Sequence, residues 1–295
     1  MRISLTPRWR GVVLLAATAQ AFSAPATSAE VSDLSGLWGR QSLDWEPPAN
    51  GPGPVVNTKL RPNGMRDSDT RVGDYTDPIL TPFAAAEVKR HGEISLRGET
   101  FPDPANQCQP QGTPYLLNQL EMALLQGKDE VTILYMIDHH VRHIRMNQGH
   151  PAHVVPSWSG DSVGHYEGDT LVVDTVGVKA GPYSMIDRYG TPYTDALHVV
   201  ERYRLIDDQI ALEAEQRNEK LSGSAMGRFA DFDSKGEGLQ IQFTVEDKGA
   251  FTRPWSAIVT YLHGRDWLEY ICAESPFDYV TGKNPQVPTA RESDF

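Results

Sequence analysis

From about residue 120 onward the chain alternates. In 239–245, Leu239, Ile241, Phe243 and Val245 alternate with Gln240, Gln242 and Thr244, the pattern of a strand with one buried and one wet face. Similar segments are 120–126, 130–137, 141–146, 162–167, 170–178, 197–206, 209–217, 256–263 and 267–272, giving about ten or eleven strands. Several are joined by tight turn sequences: Gly127-Lys128-Asp129, Gly168-Asp169 and Asp207-Asp208. Such short connections join antiparallel neighbours. A meander this long must close or fold over to hide its edges. The expected fold is therefore all-β: an antiparallel up-and-down barrel, with a two-sheet sandwich as the alternative.

The N-terminal part reads differently. Residues 34–42 form a first strand, and 46–77, rich in Pro, Gly, Asn and Asp, form a long loop. Thr81 and Pro82 open a short helix over 82–91, as N-cap and first helical residue, and Gly92 ends it. A second loop, 98–114, carries Cys108. The expected organisation is 1–29 as a signal peptide, 30–115 as strand, loops and helix packed on the barrel, and 116–295 as the main barrel, in one domain with the preceding segment.

Residues 1–29 have the three parts of a secretory signal. Arg2, Arg8 and Arg10 make a basic start, 11–24 is mostly apolar or small, and Thr27-Ser28-Ala29 supplies small residues for cleavage. The apolar run is shorter than the roughly 20 residues that span a bilayer, and no second long run follows. The expectation is a periplasmic or secreted protein without a membrane span. The chain's net charge is −12, and loss of the three signal arginines takes it to −15 (−12 − 3). That surface repels phosphate backbones, so nucleic acid is excluded as a partner. In an oxidising compartment the two cysteines, Cys108 and Cys272, read as one disulfide. Closing so long a loop stabilises by roughly 4–5 kcal/mol in the chain-entropy model. Two separate buried thiols are the alternative, and neither cysteine has metal-ligand neighbours.

Alternation also points to candidate chemistry. In 197–205, Leu197, Val199, Glu201, Tyr203 and Leu205 share a face, so Glu201 belongs inside. A buried carboxylate there is either a functional acid or base, or the partner of an arginine on a neighbouring strand. Asp174 shares a face with Val172, Val176 and Val178, which suggests a second inward carboxylate. The expected site joins Asp174, Glu201 and Arg202 or another arginine, with His198 and Asp187 as further partners. Asp187 lies in 179–196, a connection long enough to fold over a barrel mouth. Five histidines (His139, His140, His143, His150, His153) lie close together, but no His-x-His pair occurs, so no metal site is expected. Trp158, His165, Tyr166 and Trp255 are candidates to line a pocket, with core packing as the alternative. No Gly-x-Ser-x-Gly elbow, phosphate-binding loop, dinucleotide fingerprint or His-Glu-x-x-His is present.

The run from Trp158 to Thr175 (WSGDSVGHYEGDTLVVDT) resembles a signature of a family of exported, mostly uncharacterised bacterial proteins. Asp33-Leu34-Ser35-Gly36-Leu37-Trp38, Cys108-x-Pro110-x-Gly112-x-Pro114, 197–203, Thr252-Arg253-Pro254-Trp255 and Glu269-Tyr270-x-Cys272-x-Glu274 extend the resemblance over most of the chain. It implies a calycin, or lipocalin-like, barrel. Asp161, His165, Tyr166 and Tyr193 depart from the residues usual in that family, which are His, Arg, Trp and His. Together these readings give an exported barrel that binds a small apolar or aromatic organic molecule, and that as an enzyme is a lyase, isomerase or hydrolase without cofactor. A non-catalytic carrier or a structural β-domain is the alternative. Oligomeric state is left open.

Overall fold

The computed structural model describes residues 31–118, 121–137, 140–222, 232–233 and 236–264. The signal segment 1–29, His139 and the expected last strand with Cys272 lie outside them. The described strands are β1 (Gly36–Gly39), β2 (Glu121–Gln126), β3 (Glu130–Tyr135), β4 (Val141–Met146), β5 (Asp161–Glu167), β6 (Thr170–Val176), β7 (His198–Ile206), β8 (Phe232–Asp233), β9 (Gly238–Glu246) and β10 (Trp255–Gly264). They form one sheet in the order β1-β2-β3-β4-β5-β6-β7-β9-β10, and β1 then pairs with β10, closing a nine-stranded barrel. The short β8 pairs with the end of β10. The all-β barrel expected from alternation is the fold.

Three local expectations need correction. The barrel is not wholly antiparallel, because β4 and β5 run parallel. The chain between them, residues 147–160, has to travel back along the barrel before β5 begins, and it holds no hairpin turn. The second correction concerns 209–217, expected as a strand after an Asp207-Asp208 hairpin. It lies in a helix, α2 (Asp208–Ser222). The Asp207 carboxylate accepts from Gln209 N–H at 2.9 Å, and the Asp207 carbonyl accepts from Ala211 N–H at 3.0 Å, so this aspartate starts a helix instead of a turn. The segment is filled with Ala, Leu, Glu and Gln, all good helix formers. Its buried stripe, Ala211, Ala214, Glu215 and Asn218, has helical spacing but only two small apolar residues. A hydrophobic pattern therefore does not show it. Gly238 lets α2 lie close, since a Cβ there would stand 2.3 Å from that of Ala211.

The first helix, α1 (Pro82–Leu96), starts as expected, with Thr81 Oγ1 accepting from Ala84 N–H. It runs past Gly92, which does not terminate it. A Cβ at Gly92 would come within 3.2 Å of Val72, so this glycine allows close packing instead. The helix end comes before Gly98, at φ +72°. Val88 packs near Val55, Gly73 and Tyr189, in the layer of loops at one barrel end.

The barrel is filled. Inward side chains such as Met122, Leu124, Ile133, Tyr135, Val173, Tyr203, Phe243 and Tyr261 expose no surface, so no water-sized space lies beside them. Trp45, Phe243, Phe251 and Trp255 form an aromatic cluster with ring centroids 4.9–6.1 Å apart. The turn Tyr115–Asn118 closes over the interior: its Leu117 carbonyl accepts from Arg40 at 3.2 Å and from the Tyr261 hydroxyl at 3.1 Å.

Candidate functional site

The expected carboxylates separate onto opposite sides of the wall. Register pairs Glu201 with Val173, not with Asp174. Thus β6 sends Leu171, Val173 and Thr175 inward and Val172, Asp174 and Val176 outward. The expectation of one Asp174–Glu201 cluster fails here for a physical reason: β6 is apolar on both faces, so alternation cannot distinguish inside from outside.

Glu201 is fully buried, as expected, and its partner is Arg142 of β4. The guanidinium donates to both carboxylate oxygens, at 2.9 and 2.5 Å. It also donates to Ser162 Oγ at 3.1 Å and to Thr175 Oγ1 at 2.8 Å, and the Tyr203 hydroxyl donates to Glu201 at 3.0 Å. Burial alone would lower the guanidinium's pKa, but the carboxylate beside it holds that pKa well above the ordinary value. Both charges are matched and both side chains are inaccessible to water, so the pair braces the interior. The arginine comes from across the barrel and not from a neighbouring strand. Its signal was nevertheless in the sequence: Arg142 alternates onto the face of Ile144 and Met146.

Outside the wall, Asp174 belongs to a chain of charges. Its Oδ1 is 3.1 Å from His198 Nε2 and 3.0 Å from His150 Nε2. The other ring nitrogen of His150 is 2.6 Å from Asp161, whose carboxylate also receives Arg145 at 2.7 and 3.0 Å. A carboxylate oxygen only accepts, so an imidazole facing one on each side must carry both protons. Burial lowers the pKa of His150, but the hydrogen bonds to Asp161 and Asp174 outweigh it and raise the pKa. Further along this face, Glu167 receives Arg202 and lies 3.3 Å from His165.

The remaining predicted residues do not converge. Trp255 is core, and Tyr166 packs against the core from β5. Asp187 is buried where 179–196 folds onto the barrel end, and accepts from the backbone N–H groups of Tyr189 at 2.8 Å and Thr191 at 3.1 Å. Burial raises its pKa to about 6. The space beside it, also lined by Asp44, Arg66 and Tyr189, is about 10 Å³, the size of one water.

Trp158 is different. It lines an open cleft of about 390 Å³ between the β4–β5 seam and the end of 147–160, with His140, His143, Arg145 and Ser159. The Lys179 ammonium lies 4.9 Å from the centroid of the Trp158 ring. His140 Nε2 and Ser159 Oγ are hydrogen-bonded to each other. Ser159 was not anticipated as a site residue, although it stands in the run from Trp158 to Thr175. Among the described residues no three His, Cys, Asp or Glu side chains are arranged to hold a metal ion, and no helix is long and apolar enough to cross a membrane.

Fold and cleft together define a closed β-barrel with a solvent-facing pocket on its wall. No family model, no curated protein and no solved structure matches the chain.

Proposed function

We propose that this is an exported protein that binds a small organic molecule in the wall cleft, not in the barrel. The observation that carries the reading is the cleft itself. Its volume falls in the range of small-molecule sites, roughly 300–1,000 Å³. It combines an aromatic wall, Trp158, with the polar side chains of His140, His143 and Arg145. A flat apolar or aromatic body fits against the indole, and a carbonyl or acid group fits the polar edge. The inward Glu201 takes no part, because its oxygens are spent on Arg142 and Tyr203.

The experiment is a screen of small aromatic acids and esters by amide chemical shifts. Saturable changes confined to residues around the cleft, and lost in Trp158→Ala but kept in Arg204→Ala, support the reading. Shifts centred on the barrel end near Asp187 would overturn it. The competing reading, a β-domain without ligand, draws on the filled interior and requires that no compound saturates the cleft.

Export rests on residues 1–29, and oxidation of Cys108 with Cys272 goes with it. Mass spectrometry of exported, non-reduced protein should find both cysteines protected from alkylation. Two alkylated cysteines would rule the bond out.

A further inference from the structure

We propose that Ser159 and His140 are a nucleophile and its base, and that the cleft cleaves small carboxylic esters. The proposal rests on the cleft being the ligand site. Three observations carry it.

The first is how Ser159 is presented. Residues 157–160 make a tight turn, with Gly160 N–H donating to the Ser157 carbonyl at 3.1 Å and Ser157 Oγ donating to the Gly160 carbonyl at 3.0 Å. Gly160 has φ +72°, and a Cβ there would lie 2.7 Å from the Val176 carbonyl oxygen, so only glycine closes this turn. The Thr113 hydroxyl donates to the Ser159 carbonyl at 3.3 Å. Ser159 is thus held just before β5, at the rim of the cleft.

The second is the partner. His140 directly precedes β4, its carbonyl accepts from Tyr135 N–H at 2.8 Å, and its ring meets the Tyr135 ring near edge-on, with centroids 6.2 Å apart. Nucleophile and base therefore both stand beside the starts of barrel strands β5 and β4, where small displacements are resisted.

The third is the uniqueness of the pairing among the cleft serines. Ser157 Oγ is bound to Gly160, and Ser162 Oγ is turned inward to Arg142 and Thr175. Ser159 alone of the three meets an imidazole, the arrangement that activates a hydroxyl.

The chemistry balances with water as the second reactant. Neutral His140 takes the Ser159 proton as Oγ bonds to the ester carbon. The tetrahedral oxyanion develops in a cleft edged by Arg145 and His143. Its collapse breaks the bond to the alcohol oxygen, and the His140 imidazolium returns the proton to that alcohol. Water, deprotonated by His140, then attacks the acyl-serine; collapse breaks the bond from the acyl carbon to Oγ, and the His140 imidazolium returns the proton to Oγ, releasing the acid and restoring Ser159.

The test uses the full chain with p-nitrophenyl acetate and p-nitrophenyl butyrate, and a fluorophosphonate probe mapped by mass spectrometry. The expected results are one label, on Ser159, and loss of both label and turnover in Ser159→Ala, which removes a single oxygen. His140→Asn should lower turnover by roughly 10²–10⁴-fold and abolish its rise with pH. Labelling elsewhere, or turnover undiminished in Ser159→Ala, overturns the proposal. If aromatic acids still saturate the cleft in that case, the binding reading stands alone. If they do not, both fall.

Discussion

Glu201 is buried inside the barrel against Arg142, which reaches it from β4. Removing one member of a buried pair leaves the other charge without compensation, at about 3–5 kcal/mol. Glu201→Gln should therefore lower the urea midpoint sharply, while the double change with Arg142→Met should recover much of the loss. A Glu201→Gln midpoint equal to wild type would show that the pair contributes nothing. Asp187 is the opposite case: it has hydrogen bonds but, among the described residues, no ion pair at its carboxylate. Its pKa rises to about 6 in the folded protein because burial penalises the charge. The folded state then holds a proton that the unfolded state releases near pH 4, so stability falls as pH rises between those values. Asp187→Asn keeps the acceptor oxygen and removes the charge. It should stabilise the protein at pH 7–8, by up to about 3 kcal/mol, and leave it unchanged near pH 4. Denaturation at the two pH values checks this. Single residues were readable in the sequence where one face was apolar and the other wet, as around Glu201. They were misread where both faces were apolar, as around Asp174.

At the scale of elements, two hairpins and the N-cap of α1 were legible because their signals are local, whereas Asp207-Asp208, read as a turn, starts a helix, and Gly92 does not end one. The strands around Gly127-Lys128-Asp129 and Gly168-Asp169 and the start of α1 fall where these residues put them. The parallel β4–β5 pairing was not legible, since it depends on where a chain without regular pattern travels. Residues 147–160 are pinned to the wall by His150, seated between Asp161 on β5 and Asp174 on β6, with Arg145 on β4 and His198 on β7 alongside. The raised pKa fixes the sign. This contribution is complete below the ordinary histidine value of 6.5 and is lost as pH rises through the higher folded value. Hydrogen exchange in 147–160 should therefore accelerate across that window. His150→Gln should exchange fast at every pH. Exchange independent of pH in the native chain, after correction for intrinsic rates, would remove the clamp from the account. This segment also supplies Trp158 and Ser159, so any turnover at the cleft should respond to the same titration.

For the whole molecule, alternation with turn spacing was enough to indicate a barrel, but not whether its centre was hollow. Occupancy of the interior is decided by side-chain volume summed over nine strands, and Tyr135, Tyr203, Tyr261, Phe243 and Arg142 together fill it. The ligand site expected inside has no room there, and the open space lies on the wall instead. Trp158, His140 and His143 were each marked in the sequence, but the cleft they share was not, because it joins residues from a strand, a turn and a long connection.

Closure by β1 against β10 has a consequence for how the polypeptide comes into being. Trp38 pairs with His263, so the seam joins the beginning of the described chain to its end. During synthesis β1 waits, with one hydrogen-bonding edge exposed, until β2 to β9 have been made and β10 follows. Folding dominated by such distant pairings is slow, and the waiting intermediates are prone to associate through their edges. A chain ending at residue 254, without β10, would offer the open edges of β1 and β9 at once. It should run as aggregates in size-exclusion chromatography, whereas the complete chain should not. Synthesis and folding are thus separated in time by the seam.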